Sequence, residues 1–152
     1  MYTKNNKVYF DADDFEYAEA EVTTMISREK DDVHLIAPYR GGLPLGVRLS
    51  NECNVPLSIL DYQRLDGDSK EVSIMKNVGI CSNEILYLVD DIADKGITIN
   101  KCLEFLIQEF PNNRVIVYSI LGNDEIHPPK WRYTYKHTGD WVVFGPWEGY
   151  DE

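Results

Sequence analysis

Residues 85–110, ILYLVDDIADKGITINKCLEFLIQEF, constrain the fold more than any other stretch of the chain. They open with a near-continuous apolar run, ILYLV, which suits a strand buried on both faces. Asp90 and Asp91 end that run, Asp94 follows three positions later, and Gly96 permits a tight turn. Ile99, Cys102, Leu103, Leu106, Ile107 and Phe110 then recur at helical spacing until Pro111 stops the helix. A buried strand leading directly into an amphipathic helix is half of a βαβ unit. It commits the chain to an α/β architecture with parallel strands.

The rest of the sequence repeats that alternation. DADDFEYAEAEVTTMISREK predicts a helix with Asp11 or Asp13 as N-cap and Phe15, Ala18, Val22, Met25 and Ile26 on one face. VHLIAPY predicts a short buried strand, RGG a turn, LPLGVRLSNE a helix with Pro44 in its first turn, and PLSILDY another strand. QRLDGDSKEVSIMKNVG is polar and weakly periodic, and it reads as a long mobile loop of the kind that often forms a lid. RVIVYSIL gives the next strand, and the aromatic tail WVVFGPWEGYDE a strand or extended segment. Strands alternating with helices predict a central, mostly parallel sheet with right-handed crossovers.

Composition narrows the function. A chain of 152 residues, 43% hydrophobic and without repeats or linkers, is expected to form one domain around one core. Cys53, Cys81 and Cys102 form no CxxC pair and the three histidines no ligand-spaced set, so neither a disulfide framework nor a zinc site is indicated. No apolar stretch approaches membrane-spanning length, and MYTKNNKVYFDADD lacks the regions of a signal peptide. A soluble cytoplasmic protein with no membrane partner is expected. The net charge of −11 disfavours nucleic acid as a partner. It also means that a site for an anion must gather its positive charge locally.

Ligands of such sheets collect at the carboxyl ends of strands, where two loops stand out. In DDIADKGIT, Gly96 makes the turn and Thr98 is expected to cap the following helix. The unpaired amides of that helix start would cradle a phosphate. Asp90 and Asp91 could accept hydrogen bonds from vicinal sugar hydroxyls or hold the waters of a Mg²⁺ ion. A lone Asp-Asp pair would merely solvate a turn; a third acid, a glycine and a helix start make a sugar phosphate the better reading. In APYRGG, Arg40 supplies a fixed cation and Gly41 and Gly42 allow close backbone approach, which suits a second phosphate or a diphosphate.

On these residues the chain resembles the type I phosphoribosyltransferases, and within them the xanthine–guanine and hypoxanthine group. YLVDDIADKGIT resembles the family's loop for phosphoribosyl diphosphate (PRPP), IAPYRGGLPLGVRLSNE its pyrophosphate loop and helix, and WVVFGPWE its C-terminal purine-holding segment. The likeness runs from about residue 8 to residue 148 in the family's order. It implies the family's α/β fold, with a flexible hood loop at about 62–78 and a small base-binding segment at about 131–150. It also implies transfer of a phosphoribosyl group from PRPP to a purine, expected to be a 6-oxopurine, with Mg²⁺ and release of pyrophosphate, in purine salvage.

By resemblance, Asp90 holds the ribose hydroxyls, Asp91 contacts the metal, and Asp94 is the general acid or base at the purine N7. Asp94, Lys95, Gly96, Ile97 and Thr98 wrap the 5′-phosphate. Arg40, Gly41 and Gly42 bind pyrophosphate, Trp141 packs on the purine, and the backbone at Val142 reads its edge. Trp147 is expected to be structural. Arg64, Lys70 and Lys76 of the hood add local positive charge, and a homo-oligomer, dimer or tetramer, is expected.

Three positions depart from the family's pattern. Lys95 stands where Thr or Ser is usual; LGNDEIH, with Gly122, Asn123 and Asp124, replaces the region of a base-contacting lysine; and Gly145 separates a Phe and a Pro that are adjacent in many relatives. Two alternatives follow: a PRPP- or nucleotide-binding regulatory protein, and a transferase for a non-standard base.

Overall fold

The computed structural model describes residues 1–64, 70–123 and 131–149. In chain order the elements are β1 (Tyr2–Lys4), β2 (Lys7–Phe10), α1 (Ala12–Ser27), β3 (Val33–Tyr39), α2 (Leu43–Cys53), β4 (Leu57–Arg64), β5 (Lys70–Lys76), β6 (Ile85–Ile92), α3 (Ile97–Glu109), β7 (Arg114–Gly122), β8 (Trp131–Lys136), β9 (Trp141–Phe144) and α4 (Gly145–Glu148). Six strands form the central sheet in the order β5-β4-β3-β6-β7-β8. All its neighbours pair in parallel except β4 and β5, which pair antiparallel. The expected α/β sheet flanked by helices is therefore present.

Strand alternation sorts the core into two faces. Ile85, Tyr87 and Val89 of β6 join Leu35, Ala37 and the inward residues of α1 and α2 in one cluster. Leu86 and Leu88 join Ile36, Val117 and the α3 residues Ile99, Cys102 and Leu106 in the other. Both faces being covered explains why ILYLV is apolar at every position. Helix α1 begins at Asp11, whose carboxylate accepts the Asp14 N–H at 3.0 Å while Asp14 accepts the Asp11 N–H at 3.0 Å. That reciprocal pair satisfies two amides that the helix itself leaves unbonded.

A second sheet, β1-β2-β9, carries the C-terminal segment. β9 runs parallel to β2 with Val8 opposite Val142. Trp147 stacks on Phe144 at 4.9 Å between ring centroids and meets Phe15 edge-on at 5.4 Å, so it anchors this segment to α1 as a packing residue.

Five elements differ from the sequence expectations: β1, β2, β5 and β8 are not expected as strands, and the tail expected as strand or extended turns helical at Gly145–Glu148 in α4. The polar stretch expected as a loop at 62–78 holds the end of β4 and all of β5, with residues 65–69 outside the described part. Within β5, Val72 and Ile74 pack against the α3-side cluster while Glu71, Ser73 and Met75 are exposed. The side chains of Arg64 and Lys70 lie outside the described residues, and Lys76 is exposed. β8, WRYTYK, adds a sheet-edge strand beside β7. Among the described residues no helix is long and apolar enough to cross a membrane.

Candidate active site

The two loops flagged by sequence meet at the carboxyl ends of β3 and β6. Because successive strand residues point to opposite faces, Asp90 and Asp91 are adjacent in sequence yet serve different sides. Asp90 is only 6% exposed and lies on the α3 side, beside Cys102, whose thiol burial pushes up to about 12. Asp91 lies on the α2 side against the glycine loop. A Cβ on Gly41 would sit 2.7 Å from Asp91 Oδ2, closer than any side chain could stand. Glycine at 41 lets the loop close against the Asp91 carboxylate, which a larger residue would displace.

The second glycine acts differently. The Gly42 N–H donates to Pro38 O at 3.0 Å, and a Cβ there would meet the Val89 carbonyl at 2.6 Å. Gly42 lets α2 start directly under β6; its amide is not open to a ligand, contrary to the expectation that both glycine amides are. Arg40 is exposed beside them.

Helix α3 is capped two residues earlier than expected. Its N-cap is Gly96, at φ +77°, and Thr98 makes no cap. A left-handed turn of this kind favours glycine. The first helical bond runs from Asn100 N to Gly96 O, so the amides of Ile97, Thr98 and Ile99 have no partner within the helix. Asp94, Lys95, Gly96 and Thr98, with Tyr62 and Lys101, line a cleft of about 810 Å³ around that helix start. Amides without a helical partner, the positive end of the helix dipole and two lysines would suit an anion in this acidic protein.

A second cleft, of about 900 Å³, is lined by Arg40, Gly41, Leu43, Asp91, Trp141 and Glu148, among others. Trp141 is 71% exposed there, offering an open aromatic face. Val142 follows on β9, which pairs only with β2 among the described residues. As an edge strand it keeps one row of backbone donors and acceptors available.

The electrostatics of the acid pair follow from burial. Desolvation first, and then the Asp91 charge, push the Asp90 carboxyl well above its ordinary value. Burial also raises Asp91, and the negative charge of Glu148 adds to it. Such a place favours a cation or hydroxyl donors. Among the described residues no three metal-ligating side chains converge. Asp91, with Glu148 lining the same cleft, suits a Mg²⁺ ion that completes its shell with water and substrate oxygens.

Two residues escaped sequence reading. Glu148 was read only as part of the aromatic tail. His137 is 7% exposed, and its Nε2 lies 3.0 Å from Asp94 Oδ1. Nothing in YKHTG signals this; only the end of β8 arriving beside the acid loop reveals it. Asn123, considered as a hydrogen-bond donor to a ligand, donates to the Asp94 carbonyl at 3.2 Å and so holds the loop. Asp124 lies outside the described residues.

A family model described as the phosphoribosyl transferase domain matches residues 11–152. The chain belongs to that family. The crystal structure of a purine phosphoribosyltransferase from Pyrococcus horikoshii Ot3 is 25% identical and superposes with a TM-score of 0.78, covering 97% of each chain. A Helicobacter pylori xanthine-guanine-hypoxanthine phosphoribosyltransferase shares the fold at TM-score 0.74 and 15% identity, over 92% of this chain and 91% of that one. A Neisseria gonorrhoeae protein crystallised with bound ppGpp does so at 0.70 and 18%, over 95% and 91%. Ribose-phosphate pyrophosphokinase of Cereibacter sphaeroides is 29% identical over 99 residues, which are 64% of this chain and 28% of that protein. This phosphoribosyl transferase domain thus spans little more than a quarter of that curated relative.

Proposed function

We propose that the protein transfers a phosphoribosyl group from PRPP to a purine base, a 6-oxopurine in the favoured form, releasing pyrophosphate. The observation that carries this reading is the contact of the glycine loop with the acid loop at Gly41 and Asp91, in a cleft that also holds Arg40 and Trp141. A diphosphate subsite, a metal-binding carboxylate and an aromatic platform are thereby close together. The anion cleft at the α3 start supplies the place for a 5′-phosphate. The likeness to the Pyrococcus and Helicobacter enzymes supports a purine as acceptor.

In this reading the amides of residues 97–99 and Lys95 hold the 5′-phosphate, and Asp90 accepts hydrogen bonds from the ribose hydroxyls. Arg40 and the Gly41 amide stabilise the charge that grows on the departing diphosphate, where preorganised donors are worth most. Mg²⁺ bound at Asp91 would neutralise diphosphate charge and orient the leaving group. The bond from C1′ to the diphosphate oxygen breaks, the bond from C1′ to the purine nitrogen forms, and the C1′ centre passes through an oxocarbenium-like state. Asp94, with its side chain 60% exposed, takes the proton that the purine releases. Trp141 stacks on the base and the β9 edge at Val142 hydrogen-bonds to it. A cytoplasmic protein working in purine salvage, as a dimer or tetramer, accompanies the proposal.

The test is pyrophosphate release from PRPP and Mg²⁺ with guanine, hypoxanthine, xanthine, adenine and uracil, with Asp94→Asn in parallel. The proposal expects release with a 6-oxopurine that falls at least about 100-fold in the variant, within the usual range for acid–base catalysis. Release with adenine alone would correct the base. Release with none, while PRPP still binds, would favour the regulatory alternative or a base outside the panel.

A further inference from the structure

The general acid or base of this site has an unassigned partner. His137 follows β8 directly, and its backbone N–H donates to Gly122 O across the β7–β8 pair. Its ring is buried, and Nε2 lies 3.0 Å from Asp94 Oδ1. An ionised carboxylate only accepts hydrogen bonds, so Nε2–H is the donor. Two further tethers hold the same loop to the end of β7: Ala93 N–H donates to Leu121 O at 2.9 Å, and Asn123 Nδ2 donates to Asp94 O at 3.2 Å. The carboxylate is nonetheless 60% exposed and open to a ligand. A buried donor gripping one oxygen of an exposed carboxylate is the arrangement that fixes a rotamer while leaving the group reactive.

We propose that His137 is a positioning residue for Asp94: its Nε2–H fixes the carboxylate in the orientation that takes the purine proton. The inference rests on the transferase reading above. The proton goes from the purine nitrogen to the carboxylate oxygen; His137 keeps its own proton and donates throughout. The requirement is for a donor at the Nε2 position, not for an imidazole as such. The side-chain amide of glutamine can place an N–H there, whereas phenylalanine fills the space with an aromatic ring that has no donor.

The test compares the unaltered protein, His137→Gln and His137→Phe in steady-state pyrophosphate release, with PRPP affinity and thermal unfolding measured alongside. The inference expects His137→Phe to lose about 100-fold in kcat, the scale on which small misplacements of a catalytic group act. It also expects KM for PRPP to change less than threefold and His137→Gln to recover most of the rate. Equal loss in both variants, or loss in step with a lowered Tm, would overturn it in favour of a packing role. An unchanged kcat in His137→Phe would overturn it while leaving the transferase reading intact. Silence of the unaltered protein with every base would remove that reading and this inference with it.

Discussion

On the proposed reading, the sugar-phosphate half of the site and the base half are built on different principles. The first lies on the carboxyl edge of the central sheet, where close glycine contacts fix it: Gly41 abuts the Asp91 carboxylate, Gly42 the Val89 carbonyl, and Gly96 holds a left-handed turn. The second hangs on a three-stranded sheet, with Trp141 largely in solvent and β9 at the edge. A reacting centre needs placement to within fractions of an ångström, and only the central sheet provides it. Base selection can tolerate an adaptable surface. Failure in the first half should therefore appear in PRPP binding and catalysis, and failure in the second in the choice and affinity of the base.

The sharpest way to break that contrast is Gly41→Ala. A methyl group 2.7 Å from Asp91 Oδ2 must displace the carboxylate that the reading gives to the metal, or the loop that carries it. We expect at least about 100-fold lower kcat/KM for PRPP, equivalent to about 2.7 kcal/mol, while Tm changes little because the residue lies at the surface of the cleft. Retained activity would show that the loops need not touch. Trp141→Ala should act on the other half alone. It should raise KM for the base about tenfold, or about 1.4 kcal/mol, within the range for loss of one base–aromatic stack, and leave KM for PRPP unchanged.

A smaller effect concerns stability. Burial and Asp91 hold the Asp90 carboxyl well above 3.8, so in the native state it keeps a proton that the unfolded chain has lost. Its contribution to stability is fully present below the unfolded pKa near 4, and it is lost as pH rises through the folded pKa. Asp90→Asn should remove that loss. Unliganded protein at pH 7 should gain about 1 kcal/mol, seen as a Tm rise of about 2–4 °C, while PRPP binding weakens. A lower Tm would contradict the account.

The opposite end of the sheet should respond in the opposite sense. His34 is fully buried, with Nε2 2.7 Å from Ser58 Oγ, and burial lowers its pKa below 6.5. The unfolded chain therefore binds a proton there first. The stability is present above pH 6.5 and is lost as pH falls through the folded pKa. His34→Gln should flatten the decline in urea midpoint between pH 6.5 and 5, the smallest of these effects; an unchanged decline would assign the acid sensitivity elsewhere.

What the sequence could disclose follows the same division. The central strands and helices were legible because burial on two faces writes continuous apolar runs and 3.6-residue spacing into ILYLV and TINKCLEFLIQEF. β5 was not, although Val72 and Ile74 alternate with polar residues as a strand should. Its single buried face and the neighbouring Gly, Asp and Ser made it look like a loop. β8 escaped for the same reason: an edge strand with half-buried aromatics carries a weak pattern. At the site, the acids and glycines could be read because their chemistry is local. Gly42 as a packing glycine and His137 beside Asp94 depend on which strand ends meet, and no spacing within one segment records that.

The most direct test of the central claim is calorimetric titration of PRPP, with Mg²⁺, into the unaltered protein and into Gly41→Ala. The account predicts saturable, Mg²⁺-dependent binding at one site per chain, weakened at least about 100-fold by the added methyl, about 2.7 kcal/mol. Absence of PRPP binding, or equal affinity in the two proteins, would contradict it.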